Sequence, residues 1–307
     1  MEILDAQVIN HSRSASGLPR FPMAFDDGYN DSQRDAIAVE LALAAMDACG
    51  VDAALWHGEL PLAQAAVARA PDRLAGVVYF ADDPPDVTAA VGAVAETEGL
   101  VGIRLSLAWP TTGEKIVRVQ AGGYDPWFRT AQEAGVPLAL FVSGYLDVVG
   151  VIARRFPELS IVVDHLGMPS VPIMPRPADP WADLPGLLRL AVHPCVAVKL
   201  TGVPALSELP YPFPDLWPHV HQVLKTFGLE RVMWGSDYMR CRGLHTYAEA
   251  VDFIRRTDEL AAREKEQLLS RSARTWFRWT GDASTRGGEG DEAFLQFARE
   301  AGNVNGS

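Results

Sequence analysis

Eight short apolar runs, with helical patterns between nearly all of them, constrain the fold of this chain more than any other feature. They are ILDAQVI (3–9), DAALWH (52–57), LAGVVYF (74–80), VGIRLSL (101–107), PLALFV (137–142), LSIVVDH (159–165), VAVKLTG (196–202) and RVMWGSD (231–237). Hydrophobicity that is nearly continuous over so few residues suits strands buried on both faces, as in a parallel sheet covered by helices. Amphipathic stretches of helical length lie between them. Residues 32–50 open at Ser32, a capping residue type, and stop at Gly50; 124–135 also end in glycine; 146–157 end in proline; 247–260 and 263–277 follow the last run. This alternation predicts an α/β fold of one domain, a (β/α)8 TIM barrel over residues 1–280. A doubly wound sheet would want a glycine-rich phosphate turn after strand one, which is absent.

Two excursions interrupt the alternation. Residues 10–31 form a long polar loop after strand one, and 166–182 a proline-rich loop after strand six. Both leave C-terminal strand ends, where barrel enzymes place their sites. Residues 281–307 read as a flexible tail with one short helix.

If the strands close into a barrel, the polar residues at their C-terminal ends converge on one pocket. Those residues are Gln7 and Asn10, His57, Arg104, Asp164 and His165, Lys199 and Asp237. A lysine inside a core strand is costly to bury unpaired, so Lys199 needs a partner or a polar pocket. Asp164 could serve to orient its neighbour. Asp237, after MWGS at the end of the eighth strand, is a general-base candidate by position. DHLG and GSDY set His165 and Asp237 beside glycines, where backbone can approach a ligand closely. Tyr238 stands next to Asp237, and Arg240 follows in the same loop. Trp56, Phe80, Trp109, Phe141, Tyr145 and Met168 offer an apolar lining for a bulky substrate. His193, His219, His221 and His245 read as structural or solvated, since no HxxxH or HExxH spacing links them.

A net charge of -12 argues against nucleic acid, which demands a basic stripe. Three widely spaced cysteines form neither a disulfide framework nor a CxxC knuckle. No signal-peptide pattern and no apolar run of about 18 residues is visible, so a cytoplasmic location and no membrane partner are expected. A homo-oligomer is compatible with all of this.

At these residues the chain resembles the amidohydrolase-2 family. The resemblance is carried by ILDAQV, AAMDACGVDAALW, GIRLSL, RRFPELSIVVDHLGMP, VAVKLTGVP, YPFPDLWPHV and ERVMWGSDYMR, in order from residue 3 to about 279. It implies a site at the barrel's C-terminal mouth. Metal-dependent members carry HxH on the first strand and a histidine on the fifth; here the positions read Gln7 and Ile9, and the fifth strand ends LFVSG. Of the usual ligands His165 and Asp237 remain, and a zinc site takes at least three from the protein. No metal cofactor is therefore expected, a single Zn2+ being the alternative. The resemblance to metal-independent lactonases implies a hydrolase acting on a small lactone or a carboxylate-bearing ring. In that reading Asp237 is general base, His165 and a cationic neighbour face the carbonyl oxygen, and Arg104 is a third catalytic group. Gln7, His57, Trp109, Lys199, Tyr238 and Arg240 are expected to bind substrate, with Arg104 and Lys199 holding its carboxylates. The alternatives are a metal-dependent decarboxylase, a non-hydrolytic cyclase, dehydratase or isomerase, and a binding protein on a former enzyme barrel.

Overall fold

The computed structural model describes residues 1–9, 31–80, 83–108, 113–168, 177–238 and 245–281. Eight parallel strands form one sheet in sequence order: β1 (Leu4–Ile9), β2 (Ala53–Gly58), β3 (Leu74–Phe80), β4 (Leu100–Ser106), β5 (Leu138–Phe141), β6 (Ile161–Val163), β7 (Val196–Lys199) and β8 (Val232–Met233). Helices lie between them, so the expected (β/α)8 barrel is the observed fold. Each predicted run contains one strand. The tail from 282 onward, most of the loop after β1 and residues 169–176 fall outside the described residues.

The ring meets itself beyond the end of β8. Ala6 N donates to Trp234 O at 3.2 Å, and Asp237 N donates to Gln7 O at 3.0 Å. Gly235 permits this approach: a Cβ there would lie 2.5 Å from Thr201 Cγ2 and 3.0 Å from Gln7 N.

Two apolar layers follow from the period-two alternation of side chains. Leu4, Ala6, Ala53, Leu55, Ala75, Val77, Ala139, Val162, Ala197 and Met233 fill the lumen. Val8, Ala54, Trp56, Val78 and Ile103 face the helices. Trp56 therefore packs under the helical layer instead of lining a substrate pocket. The lumen is lined by many alanines, and Phe277, just past the helix Ser272–Trp276, packs into the space they leave. A Cβ on Gly102 would touch the Phe277 ring at 3.1 Å. Small residues at that level leave room for the long side chains of Arg104 and Lys199 above it.

β6 and β8 are shorter than their apolar runs. His165 and Asp237 both adopt left-handed backbone, with φ of 54° and 56°, and cannot continue a strand ladder. β6 thus ends where the chain turns toward the mouth, and β8 ends at Met233, four residues before Asp237.

Candidate active site

β1 brings Gln7 into the lumen through an irregularity between Asp5 and Val8. β2 supplies His57, β4 Arg104, the end of β6 Asp164 and His165, β7 Lys199, and the chain beyond β8 Asp237. All seven are buried. The structure brings these sequence-predicted residues into one hydrogen-bonded cluster. Trp109, Arg240, Asn10 and His11 lie outside the described residues. Tyr238 is half-buried, its ring 4.9 Å from that of Tyr247.

Asp164 is the counter-ion of the cluster. Arg104 Nε donates to its Oδ2 at 2.6 Å, and Lys199 Nζ lies 3.1 Å from Oδ1. Burial favours the neutral acid, but Lys199 and then Arg104 hold the Asp164 carboxyl well below the usual carboxylate range. Burial in turn pulls Lys199 below its ordinary value, against the Asp164 charge. Lys199 also donates to Gln7 Oε1 at 3.2 Å and lies 3.3 Å from His57 Nε2. Two acceptors, Asp164 Oδ1 and Gln7 Oε1, face the ammonium, while His57 Nε2 also lies 3.2 Å from the Ala6 carbonyl, to which it can only donate. Lys199 is fully buried and committed to protein groups, so the expectation that it clamps a substrate carboxylate does not match its position. Arg104 Nη2 is buried with no hydrogen-bond partner, a donor left over from the Asp164 pair.

His57 is fully buried. Burial, with the Lys199 charge next, depresses its imidazole well below the ordinary histidine range and keeps it neutral.

Gln7 links the ion cluster to the rim. Lys199 can only donate, so it fixes the Gln7 amide oxygen toward itself and turns Nε2 the other way. That nitrogen lies 3.2 Å from both His165 Nε2 and Asp237 Oδ1. His165 Nδ1 is 3.0 Å from the Thr201 carbonyl, which can only accept. The proton of a neutral His165 is therefore on Nδ1, and Nε2 presents a lone pair to the Gln7 amide. In this state His165 is an acceptor, which corrects its expected role as the donor facing a carbonyl oxygen. Its Nε2 lies 3.8 Å from Asp237 Oδ2.

Asp5 escaped the sequence reading. It accepts from the amides of Gln7 at 3.0 Å and Ser236 at 2.8 Å, from Tyr247 Oη at 2.9 Å and from the Ser236 hydroxyl. It ties β1 to the segment carrying Asp237. A carboxylate in an otherwise apolar strand, ILDAQVI, was the available signal. Thr201 is the second omission: its hydroxyl accepts from His165 N at 3.0 Å while its carbonyl sets the tautomer. Next to it Gly202, at φ 65°, would place a Cβ 3.6 Å from His165 Nδ1.

Burial pushes the Asp5 carboxyl up to about 6, against the hydrogen bonds from Ser236, Gln7 and Tyr247. A raised carboxyl contributes stability below its unfolded value near 4, and loses it as pH rises through about 6. The difference is about 3 kcal/mol. Asp5→Asn keeps an acceptor for the two amides and removes this titration. Urea unfolding from pH 4 to 7 should show the variant gaining stability relative to the parent as pH rises. A parallel pair of curves would contradict it.

The family model described as Amidohydrolase matches residues 11–279. A stretch of 103 residues is 37% identical to L-fucono-1,5-lactonase of Burkholderia ambifaria, covering 33% of this chain and 33% of that protein. The match therefore spans about a third of that curated relative's length. A candidate 2-pyrone-4,6-dicarboxylic acid hydrolase from Pseudomonas putida superposes with a TM-score of 0.66 at 22% identity, over 90% of this chain and 97% of that one. The 5-carboxyvanillate decarboxylase of Sphingomonas paucimobilis superposes with a TM-score of 0.61 at 19% identity, over 91% and 99%. These two likenesses speak for the shared fold. No helix among the described residues is long and apolar enough to cross a membrane.

Proposed function

Because the chain belongs to the amidohydrolase family, we propose that it is a hydrolase of a lactone or similarly activated ester, with Asp237 as the general base. The observation that carries this reading is the meeting of His165 and Asp237 at the rim, with Nε2 3.8 Å from Oδ2 and both residues on left-handed backbone. Non-glycine residues held in that conformation cluster at functional sites. The Asp237 carboxylate orients a water and polarises it toward a carbonyl carbon. Asp237 takes the proton as the tetrahedral intermediate forms and returns it to the leaving alkoxide when the ring opens. The negative charge on the former carbonyl oxygen needs a donor. Arg104 Nη2 is the spare cationic donor among the described residues, and the Arg240 side chain is the second candidate from the sequence.

The site suits an activated acyl group better than an amide. A base of this kind, in a cluster whose cations already serve Asp164, gives limited help to a poor leaving group. The L-fucono-1,5-lactonase match supports a sugar lactone as the first substrate class to try.

The test is a panel of sugar lactones, pyrone carboxylates and aryl esters, followed by proton release. It is run with and without chelator on protein whose metal content has been measured. Lactone turnover unaffected by chelation is the expected result. Turnover that disappears with removal of a stoichiometric metal would replace this reading with a metal-dependent one. Release of carbon dioxide from an aromatic acid would replace it with decarboxylation.

A further inference from the structure

We propose that the Lys199 ammonium is the resident cation of this site, serving in place of a bound metal ion and fixing the direction of the Gln7 amide hydrogen bonds that reach His165 and Asp237. Two acceptors converge on its Nζ, Asp164 Oδ1 at 3.1 Å just past β6 and Gln7 Oε1 at 3.2 Å on β1, and His57 Nε2 of β2 lies 3.3 Å away. This is the arrangement by which a protein holds a cation, with the charge attached to the chain. The Phe277 ring, centred 5.2 Å from Nζ, adds an aromatic face on another side.

The same residues do not fit a divalent ion there. Among the described residues no group of three or more His, Cys, Asp or Glu is placed to hold a metal. Gln7 offers an amide oxygen, Asp164 is already shared with Arg104, and the point of convergence is filled by Nζ. A second cation at that distance would be repelled.

The consequence for the chemistry is directional. Lys199 orients the Gln7 amide, and the Gln7 NH2 then donates toward His165 Nε2 and Asp237 Oδ1. Donation to Asp237 favours its ionised form, and donation to His165 engages the Nε2 lone pair and holds the ring in place. Without the ammonium the amide is free to turn over, presenting an oxygen to two groups that are themselves acceptors. Lys199 touches no reacting atom in this scheme and is a positioning residue. The inference rests on Asp237 being the base of the site only for its kinetic readout.

The test uses the full chain with Lys199→Met, which keeps the stem, and Lys199→Ala, which leaves room for a small cation. Lys199→Met is expected to lose about 10- to 100-fold in kcat with KM nearly unchanged. The acidic limb of its pH–rate profile should move up by about one unit, as the base loses its orienting donor. Lys199→Ala is expected to regain thermal midpoint and rate in methylammonium or ethylammonium chloride. Tetramethylammonium chloride at equal ionic strength should restore neither, because it has no proton to donate. A Lys199→Met enzyme with the parent's rate and acidic limb overturns the proposal. So does a Lys199→Ala midpoint that responds equally to both kinds of salt. If Lys199→Met does not fold, Lys199→Ala prepared in ethylammonium chloride carries the test alone. The midpoint needs no substrate, so failure there is distinct from failure to find a lactone that is turned over.

Discussion

Asp237→Asn lowers turnover of the lactone by about 10²- to 10⁴-fold and leaves the thermal midpoint where it was. Both halves of this expectation come from the backbone and its contacts. Asp237 sits at φ 56°, a conformation that asparagine tolerates readily. Its Oδ1 accepts from Gln7 Nε2, and the asparagine carbonyl oxygen can do the same. What disappears is the basic oxygen facing His165 Nε2. Asparagine cannot take a proton from water, so the loss falls on kcat, with substrate binding little changed. Steady-state kinetics and a melting curve on the same preparation decide the matter. An asparagine variant that turns over at the parent's rate would remove Asp237 from the mechanism.

Asp164→Ala is expected to destabilise the fold by about 3–5 kcal/mol, the cost of stranding buried charge. Arg104 and Lys199 are 2% and 0% exposed, and Asp164 faces both. Removing the carboxylate leaves two cations in the lumen with no anion in direct contact. Asp164→Asn should lose less, since one amide oxygen can still accept from Arg104. The pH sign is opposite to that of Asp5. The Asp164 carboxyl is held below its ordinary range by Lys199 and Arg104, so its contribution is present above about pH 4 and is lost as pH falls further. Denaturant midpoints for the parent and both variants check the order. An alanine variant as stable as the parent would mean that the two cations find another anion.

The barrel was legible because its strands are buried on both faces, which writes each of them as an apolar run. The site was legible in outline for the same reason. A polar residue in such a run has few places to be except the lumen or the mouth, and Gln7, His57, Arg104, Lys199 and Asp237 all proved to be there. Pairing was not legible. Asp164 was read as an orienting neighbour of His165, yet it balances two cations that are 60 and 35 positions away in the chain. Strand register decides that, and sequence pattern carries no register between distant strands. The tautomer of His165 was likewise hidden, since it depends on a backbone carbonyl at Thr201. Asp5 escaped notice because its partners, Ser236 and Tyr247, come from the far end of the chain.

The seam between the first and last strands carries a further meaning. Gln7 and Asp237 meet across it, joined through Asp237 N and the Gln7 carbonyl. A nascent chain on the ribosome possesses Gln7 almost from the start and cannot bring it to Asp237 until more than two hundred residues later. Under the proposed function, the reaction is thus withheld from every partially synthesised form, and activity reports that the circle has been completed.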